Sequence, residues 1–311
     1  MRNTTLKLVI PMLLLTSLQV AMAEPESCQT VRTSDPGWTD INATNAISGV
    51  LLEGLGYRQQ ISNLSVPVGF QGLKSGQVDV FLGNWLPAQQ PVLDKFADGI
   101  EKLGTNLVSA KFTLVVPDYV AAAGVKSFQD LARYGDRFER KIYGIAAGSP
   151  ANQNISKLLK DPAFALDGWS LVESSETGML TQADRAIKQQ KWVVFLGWEP
   201  HVMNAHYKLV YLSGGDAYFG PNYGSATVNT LARKGWAAEC PNVARLFTNL
   251  TFDVALENNI IKRILDDKQT ATEAARAELK AHPEYLASWL AGVTTFAGQP
   301  AQAAVTAAIN Q

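Results

Sequence analysis

Two runs share one pattern and restrict what this chain can fold into. Val78-Asp79-Val80-Phe81-Leu82-Gly83-Asn84-Trp85-Leu86-Pro87 is echoed far downstream by Val193-Val194-Phe195-Leu196-Gly197-Trp198-Glu199-Pro200-His201. Each reads as a buried strand, a glycine turn, then Trp-x-Pro opening a helix. A short unbroken apolar run fits a parallel strand covered on both faces. Gly permits a sharp exit, and Pro suits a first helical turn. Two copies predict two lobes, each offering one Trp at the carboxyl end of a strand. That is where open α/β sheets bind ligands.

The rest of the chain fits this reading. Thr30–Ser34 reads as a strand and Asp35-Pro36-Gly37 as a turn. Trp38-Thr39-Asp40 leads into a helix to about Leu55, with Thr39 and Asp40 as N-cap candidates. Further strands are expected over Leu64–Phe70, Val78–Leu82, Lys111–Val116, Lys141–Ile145, Ser170–Val172, Trp192–Leu196, Lys208–Leu212 and Ala226–Ala232, with helices between them. From Pro241 onward the pattern is helical. Alternating strands and helices predict an α/β fold with mainly parallel sheets. The 311 residues are enough for two lobes, each with its own core. The natural cuts assign 24–110 and 216–311 to lobe I and 111–215 to lobe II. Two crossings then make a hinge beside a cleft.

Residues 1–23 read as a signal peptide. Arg2 and Lys7 give a positive start, Leu8 to Leu18 is apolar, and Ala21-Met22-Ala23 is a cleavage signal. The mature chain then begins at Glu24 and is exported. Its net charge falls from -1 to about -3 once Arg2 and Lys7 leave, which gives no basic footprint for nucleic acid. Cys28 and Cys240 are the two cysteines. In an oxidising compartment such a pair is most simply a disulfide; the alternative is two separately buried thiols. Both lie in lobe I, so a bond between them leaves the hinge free.

Trp38, Trp85, Phe112 and Trp198 fall at strand ends or turns. Each could be ordinary core, but the repeat argues for a site at Trp85 and Trp198. Trp169, Trp192, Trp236 and Trp289 lack this placement and read as packing. Several aromatic faces can stack on rings or surround a cation. A quaternary ammonium has no N–H to donate, so ring quadrupoles are its best partners. Asp40 adds a negative charge or a hydroxyl acceptor, unless it serves only as a helix cap. Three His leave little for histidine-based chemistry, and no nucleophile elbow, phosphate loop or complete dinucleotide glycine motif occurs. Glu199, His201 and His206 match no metal-ligand spacing. We therefore expect no cofactor, no metal and no catalysis. A secreted hydrolase using Glu199, His201 and Asp40, or a sugar-binding lectin-like module, is the alternative from another class.

The runs Ser34-Asp35-Pro36-Gly37-Trp38-Thr39-Asp40-Ile41, Asp79-Val80-Phe81-Leu82-Gly83-Asn84-Trp85, Leu171-Val172-Glu173-Ser174-Ser175-Glu176, Phe195-Leu196-Gly197-Trp198-Glu199-Pro200-His201 and Phe219-Gly220-Pro221-Asn222 carry a family likeness. The chain resembles the periplasmic substrate-binding proteins of ABC importers for quaternary amines, most closely the choline-binding branch. The resemblance implies a type II two-lobed binding protein, periplasmic and monomeric, that hands a small quaternary amine to a membrane permease. It implies an aromatic box of Trp38, Trp85 and Trp198, with Phe112 where the family has Tyr. It implies Asp40 as the partner of the choline hydroxyl, and a disulfide between Cys28 and Cys240. The family's second hydroxyl partner is an Asn. Ser149 stands at that position, with Asn152 nearby. These two departures leave choline as the expected ligand, with carnitine or glycine betaine as alternatives.

Overall fold

The computed structural model describes residues 24–310, so the expected signal peptide lies outside the described residues. Nine strands form one continuous sheet: β1 (Thr30–Asp35), β2 (Arg58–Asn63), β3 (Val80–Leu86), β4 (Ile100–Pro117), β5 (Lys141–Tyr143), β6 (Ser170–Val172), β7 (Phe195–Glu199), β8 (Leu209–Tyr211) and β9 (Ser225–Arg233). Their order is β2-β1-β3-β9-β4-β7-β5-β6, with β8 beside β4. The order hides a repeat. β2-β1-β3 is parallel and is edged by antiparallel β9. β6-β5-β7 is parallel and is edged by antiparallel β4. Trp85 on β3 and Trp198 on β7 therefore occupy equivalent strands, as the sequence echo predicts. The mixed α/β expectation and the type II architecture hold.

Two of the expected local readings need correction. The strand placed at Leu64–Phe70 is a helix, Val66–Ser75, with Pro67 in its first turn. The strand precedes it at Arg58–Asn63. β2 pairs only with β1 and is half exposed, so its sequence is polar and lacks the apolar run of a covered strand. The glycine turns are also not turns. β3 runs through Gly83 to Leu86, and β7 runs through Gly197 to Glu199. The glycines serve close approach instead. A Cβ on Gly83 would collide with Ile41 of the helix Thr39–Gly54, and one on Gly197 would lie 2.5 Å from Val115 Cγ1. Each strand ends at a cis proline bond, Leu86–Pro87 and Glu199–Pro200, and neither proline opens a helix.

Buried apolar side chains fall into three groups. Helices Thr39–Gly54, Val254–Leu265, Ala271–Ala281 and Ala301–Ile309 pack on one face of the first half-sheet, around Leu51, Phe247 and Trp289. Phe70, Phe81 and Val92 fill its other face. A third group around Leu114, Phe128, Phe195 and Phe219 serves the second half. Alternate residues of β3 divide between groups, Val80 and Leu82 to the first and Phe81 to the second, as strand geometry requires. Trp85 is the exception. It sits on β3 but packs with the third group, 6.1 Å from Phe112 between ring centroids.

β4 and β9 join the halves as an antiparallel ribbon. β4 pairs with β9 over Ile100–Lys111 and with β7 over Lys111–Val115, with register shifts between Thr105 and Leu107 and between Leu107 and Ala110. The Cys28–Cys240 disulfide is present, with a sequence separation of 212 between its ends. It ties the start of β1 to the start of the helix Pro241–Asn249. By loop entropy, replacing both cysteines with Ser should destabilise the chain by roughly 5 kcal/mol. Calorimetric melting of the double variant measures this, and ligand affinity should be retained.

Candidate functional site

A chamber opens at the seam between the half-sheets, with about 390 Å³ of free space counting the part open to solvent. Its aromatic walls are Trp38, Trp85, Phe112 and Trp198, and Asp40 is its carboxylate. Phe112 and Trp198 are cross-strand partners on β4 and β7, so their side chains share one face of the sheet. Trp85 reaches the same place from β3, and Trp38 is the residue that precedes the helix Thr39–Gly54. Trp85 and Trp198 are each 5% exposed, and Trp38 is half-buried. Two strand ends, an interior position of β4 and one helix start thus converge from both halves of the chain.

Ser149 and Asn152 stand outside this lining, and the structure gives them other work. Ser149 caps the helix Pro150–Leu158, its Oγ accepting from the Asn152 amide at 3.2 Å. Asn152 Oδ1 accepts from the Ile145 amide at 3.0 Å. Its Nδ2 donates to the Ile145 carbonyl at 2.7 Å and to Glu173 Oε1 at 2.9 Å. Both side chains hold the loop that presents Ile145, Pro150 and Ala151, which do line the chamber.

Asp40 dominates the electrostatics. It is 3% exposed, and its side chain does not cap the helix, whose N-cap residue is Trp38. Asp40 Oδ2 instead accepts a hydrogen bond from Trp85 Nε1 at 3.1 Å. Burial pushes its carboxyl up to about 7, the nearby Glu176 charge adds to this, and the Trp85 donor opposes it. No Lys, Arg or His lines the chamber. Behind it, Glu257 is 3% exposed; burial first, then Asp40 and Asp253, push its carboxyl well above the usual range. The chamber is therefore apolar in its walls, with Asp40 as the one ionisable group and no cationic side chain in its lining among the described residues.

Sequence reasoning missed Gln89, which also lines the chamber and is 1% exposed. It ends a ladder of buried amides under Trp85. Thr105 Oγ1 donates to Asn229 Oδ1 at 2.8 Å, Asn229 Nδ2 to Asn84 Oδ1 at 3.1 Å, and Asn84 Nδ2 to Gln89 Oε1 at 3.3 Å. Gln89 Nε2 closes it by donating to the Gly83 carbonyl at 2.8 Å. Asn84, Asn229 and Thr105 are register partners across β3, β9 and β4, so the ladder stitches the floor of the chamber to the ribbon. A lone polar residue after a Trp-x-Pro run carries no sequence signal for this.

Glu199, His201 and His206 have separate partners. Glu199 pairs with Lys111 at 3.5 Å, and His206 Nε2 lies 3.0 Å from Asp266 Oδ2. His201 lies against Trp198, ring centroids 5.0 Å apart, and contacts Glu176. Trp236 and Trp289 are core residues, 2% and 0% exposed.

The chain itself gives Asp40 no cationic partner in the chamber lining among the described residues. Its folded proton affinity is raised, so unfolding is favoured increasingly as pH rises from about 4 to about 7, and the penalty is constant above that. Asp40→Asn keeps an acceptor for Trp85 and removes the penalty. At pH 8 it should stabilise the ligand-free chain by on the order of 4 kcal/mol at most. The gain should vanish near pH 4, as melting curves of both chains across this range would read.

Residues 29–281 match the family model described as the substrate binding domain of ABC-type glycine betaine transport systems. Among solved structures, the fold resembles an ABC-transporter choline binding protein in complex with choline. That likeness has a TM-score of 0.90 and 48% identity, over 92% of this chain and 100% of that one. It also resembles lactococcal OpuAC in its closed-liganded conformation with glycine betaine, with a TM-score of 0.77 and 28% identity over 84% and 99% of the two chains. A glycine betaine/carnitine transport binding protein, GbuC of Listeria monocytogenes serotype 1/2a, is 27% identical over 51% of this chain and 52% of its own length.

Proposed function

The chain belongs to the family of substrate-binding domains of ABC-type glycine betaine transport systems, and on that premise we propose that its chamber captures choline. The observation that carries this is the lining: four aromatic side chains around a space whose single charged group is the Asp40 carboxylate. A trimethylammonium group gains about 0.5–1 kcal/mol from a ring face at an exposed site and about 2 kcal/mol or more from one in a dry site. Asp40 supplies the counter-charge and accepts from the hydroxyl end. The choline complex of a protein 48% identical supports the same ligand.

Glycine betaine and carnitine carry a carboxylate as well. In this chamber it would meet Asp40 and no cationic side chain, which disfavours both ligands. Phe112 lacks the hydroxyl that the family's Tyr would offer, so it contributes a ring face alone. The site residues of the proposal are Trp38, Asp40, Trp85, Phe112 and Trp198, with Ser149 and Asn152 acting through the loop they hold.

The proposed lobes are 24–110 with 216–311, and 111–215, closing about the β4–β9 ribbon. Phe219 packs 5.7 Å from Phe128, so the turn that bears it would travel with the second lobe. The protein works as an exported monomer that delivers its ligand to a membrane permease and catalyses nothing. Acetylcholine incubated with it should remain intact.

Titration calorimetry tests the ligand. Choline should bind in the micromolar range or tighter, and more tightly than glycine betaine. Trp198→Ala should weaken choline binding by at least about 30-fold, the equivalent of one dry cation–ring contact. Trp289→Ala should lower Tm and leave the affinity near wild type. Equal loss of affinity in a folded Trp289→Ala protein would sink the assignment.

Binding should also release a proton. The ligand cation favours ionised Asp40, whose carboxyl sits at about 7 when the site is empty. Glu176 and Glu257 are the other charges that bear on it. Affinity is then full above pH 7 and falls as pH is lowered, approaching ten-fold per pH unit. A Kd constant between pH 5 and pH 8 would contradict this role for Asp40.

A further inference from the structure

Glu176 has no place in the chamber lining, yet it is 5% exposed and bonds to a neighbour of the aromatic box on each side of the seam. Its Oε2 accepts from the Thr39 amide at 3.1 Å, and its Oε1 accepts from Thr39 Oγ1 at 2.5 Å. Oε1 also lies 3.1 Å from His201 Nε2. The Met203 amide donates to His201 Nδ1 at 3.0 Å, so the proton of the ring sits on Nε2 and points at Glu176. Thr39 lies between Trp38 and Asp40 in sequence. His201 packs on Trp198. One carboxylate thus connects the walls that come from opposite sides of the seam.

We propose that Glu176 is a closure strut for this site, a positioning residue that holds the two lobes shut around the bound cation and sets how long the ligand stays. The proposal rests on the ligand reading above and extends it from what is bound to how it is retained.

Helix geometry explains why a carboxylate is needed there. The helix Thr39–Gly54 has no side-chain cap of its own, so its first amides need acceptors. Glu176 supplies one from 137 residues away. Glu176 is also the first residue of the helix Glu176–Lys188, which Ser175 caps. Two helix N-termini, one from each lobe, therefore meet across the seam with the Glu176 carboxylate between them. Each end carries a partial positive charge, and an anion between them favours their approach. Without it the two ends repel and the Thr39 amide is left with no acceptor. The other carboxylate–histidine contact across the seam, His206 with Asp266, lies at the rim with His206 43% exposed, where such a pair contributes little. Pairing through Glu176 is buried, with His201 fully enclosed.

Lobe separation is what the strut resists, so the ligand's release rate is what its loss changes. Glu176→Gln preserves shape but cannot accept from Thr39 N–H, Thr39 Oγ–H and His201 Nε2–H together. In stopped-flow tryptophan fluorescence it should release choline at least about ten-fold faster, with the preference for choline over glycine betaine unchanged. Thr181→Ala, on the same helix and exposed, should behave as wild type. A change in charge, not only in packing, should show in the pH profile. Because Glu176 is one cause of the high Asp40 carboxyl, the pH midpoint of choline binding should fall in Glu176→Gln and recover in Glu176→Asp. Thr39→Val, which removes one hydroxyl, should also speed release, whereas Thr39→Ser should not. A readout without ligand separates this from the ligand assignment. Hydrogen exchange of the Thr39 amide in the choline-free protein should quicken in Glu176→Gln. If wild type binds no choline, the ligand reading fails while this exchange still decides the strut. Unchanged release in folded Glu176→Gln and Thr39→Val, or unchanged Thr39 protection, overturns the proposal.

Discussion

A carboxylate buried among indole rings is the constraint on which the site depends. Burying Asp40 without a cation costs stability, and the chain offers it only the Trp85 N–H and nearby backbone. An ordinary core would have a neutral side chain here or a paired base. Instead the chamber keeps its polarity unbalanced and its walls apolar, so the missing charge must come from outside. Aromatic faces suit a cation that has no hydrogen to donate, because they attract charge without asking for a hydrogen bond. Instability of the empty site and affinity for the ligand are then two faces of the same desolvation energy.

The fold supplies the geometry by repetition. Each half-sheet orders its strands the same way and ends on an antiparallel strand that belongs to the ribbon. Trp85 and Trp198 occupy matching positions, and each strand needs a glycine two or one residues before its Trp for the neighbouring side chain to fit. A split site follows naturally from that symmetry, since neither half alone has enough ring surface to enclose a cation.

Much of this was legible in the sequence, and the misreadings have physical causes. The echo of two apolar runs located the paired strands because covered parallel strands require continuous apolar residues. The same rule hid β2, an edge strand whose polar residues face water. Glycine before Trp reads as a turn, because sequence shows that a Cβ is absent but not whether backbone freedom or close packing demands it. The strand limits fell short for the same reason. Trp85, Trp198, Trp38, Phe112 and Asp40 line one space, and their residue types announce that chemistry. Glu176 does not, because it acts on Thr39, 137 residues away; Gln89 does not, because its bonds to Asn84 and Gly83 matter only through a ladder that Asn229 completes from far away in sequence. Ser149 and Asn152 were legible as a loop near the site, but the partner of an amide side chain cannot be read from its spacing.

The ribbon of β4 and β9 has a mechanical consequence. β4 and β9 are paired to each other between the half-sheets, so the halves share one stiff axis in place of two slack linkers. Rotation about such an axis works as a lever. Under such a rotation groups beside the axis, Phe112 on β4 and Trp85 one strand away, would change separation little, while the outer edge near His206 and Asp266 would sweep through a long arc. The inner rings can therefore greet an incoming cation before the outer edge has moved, and a small angular change suffices to seal or free it.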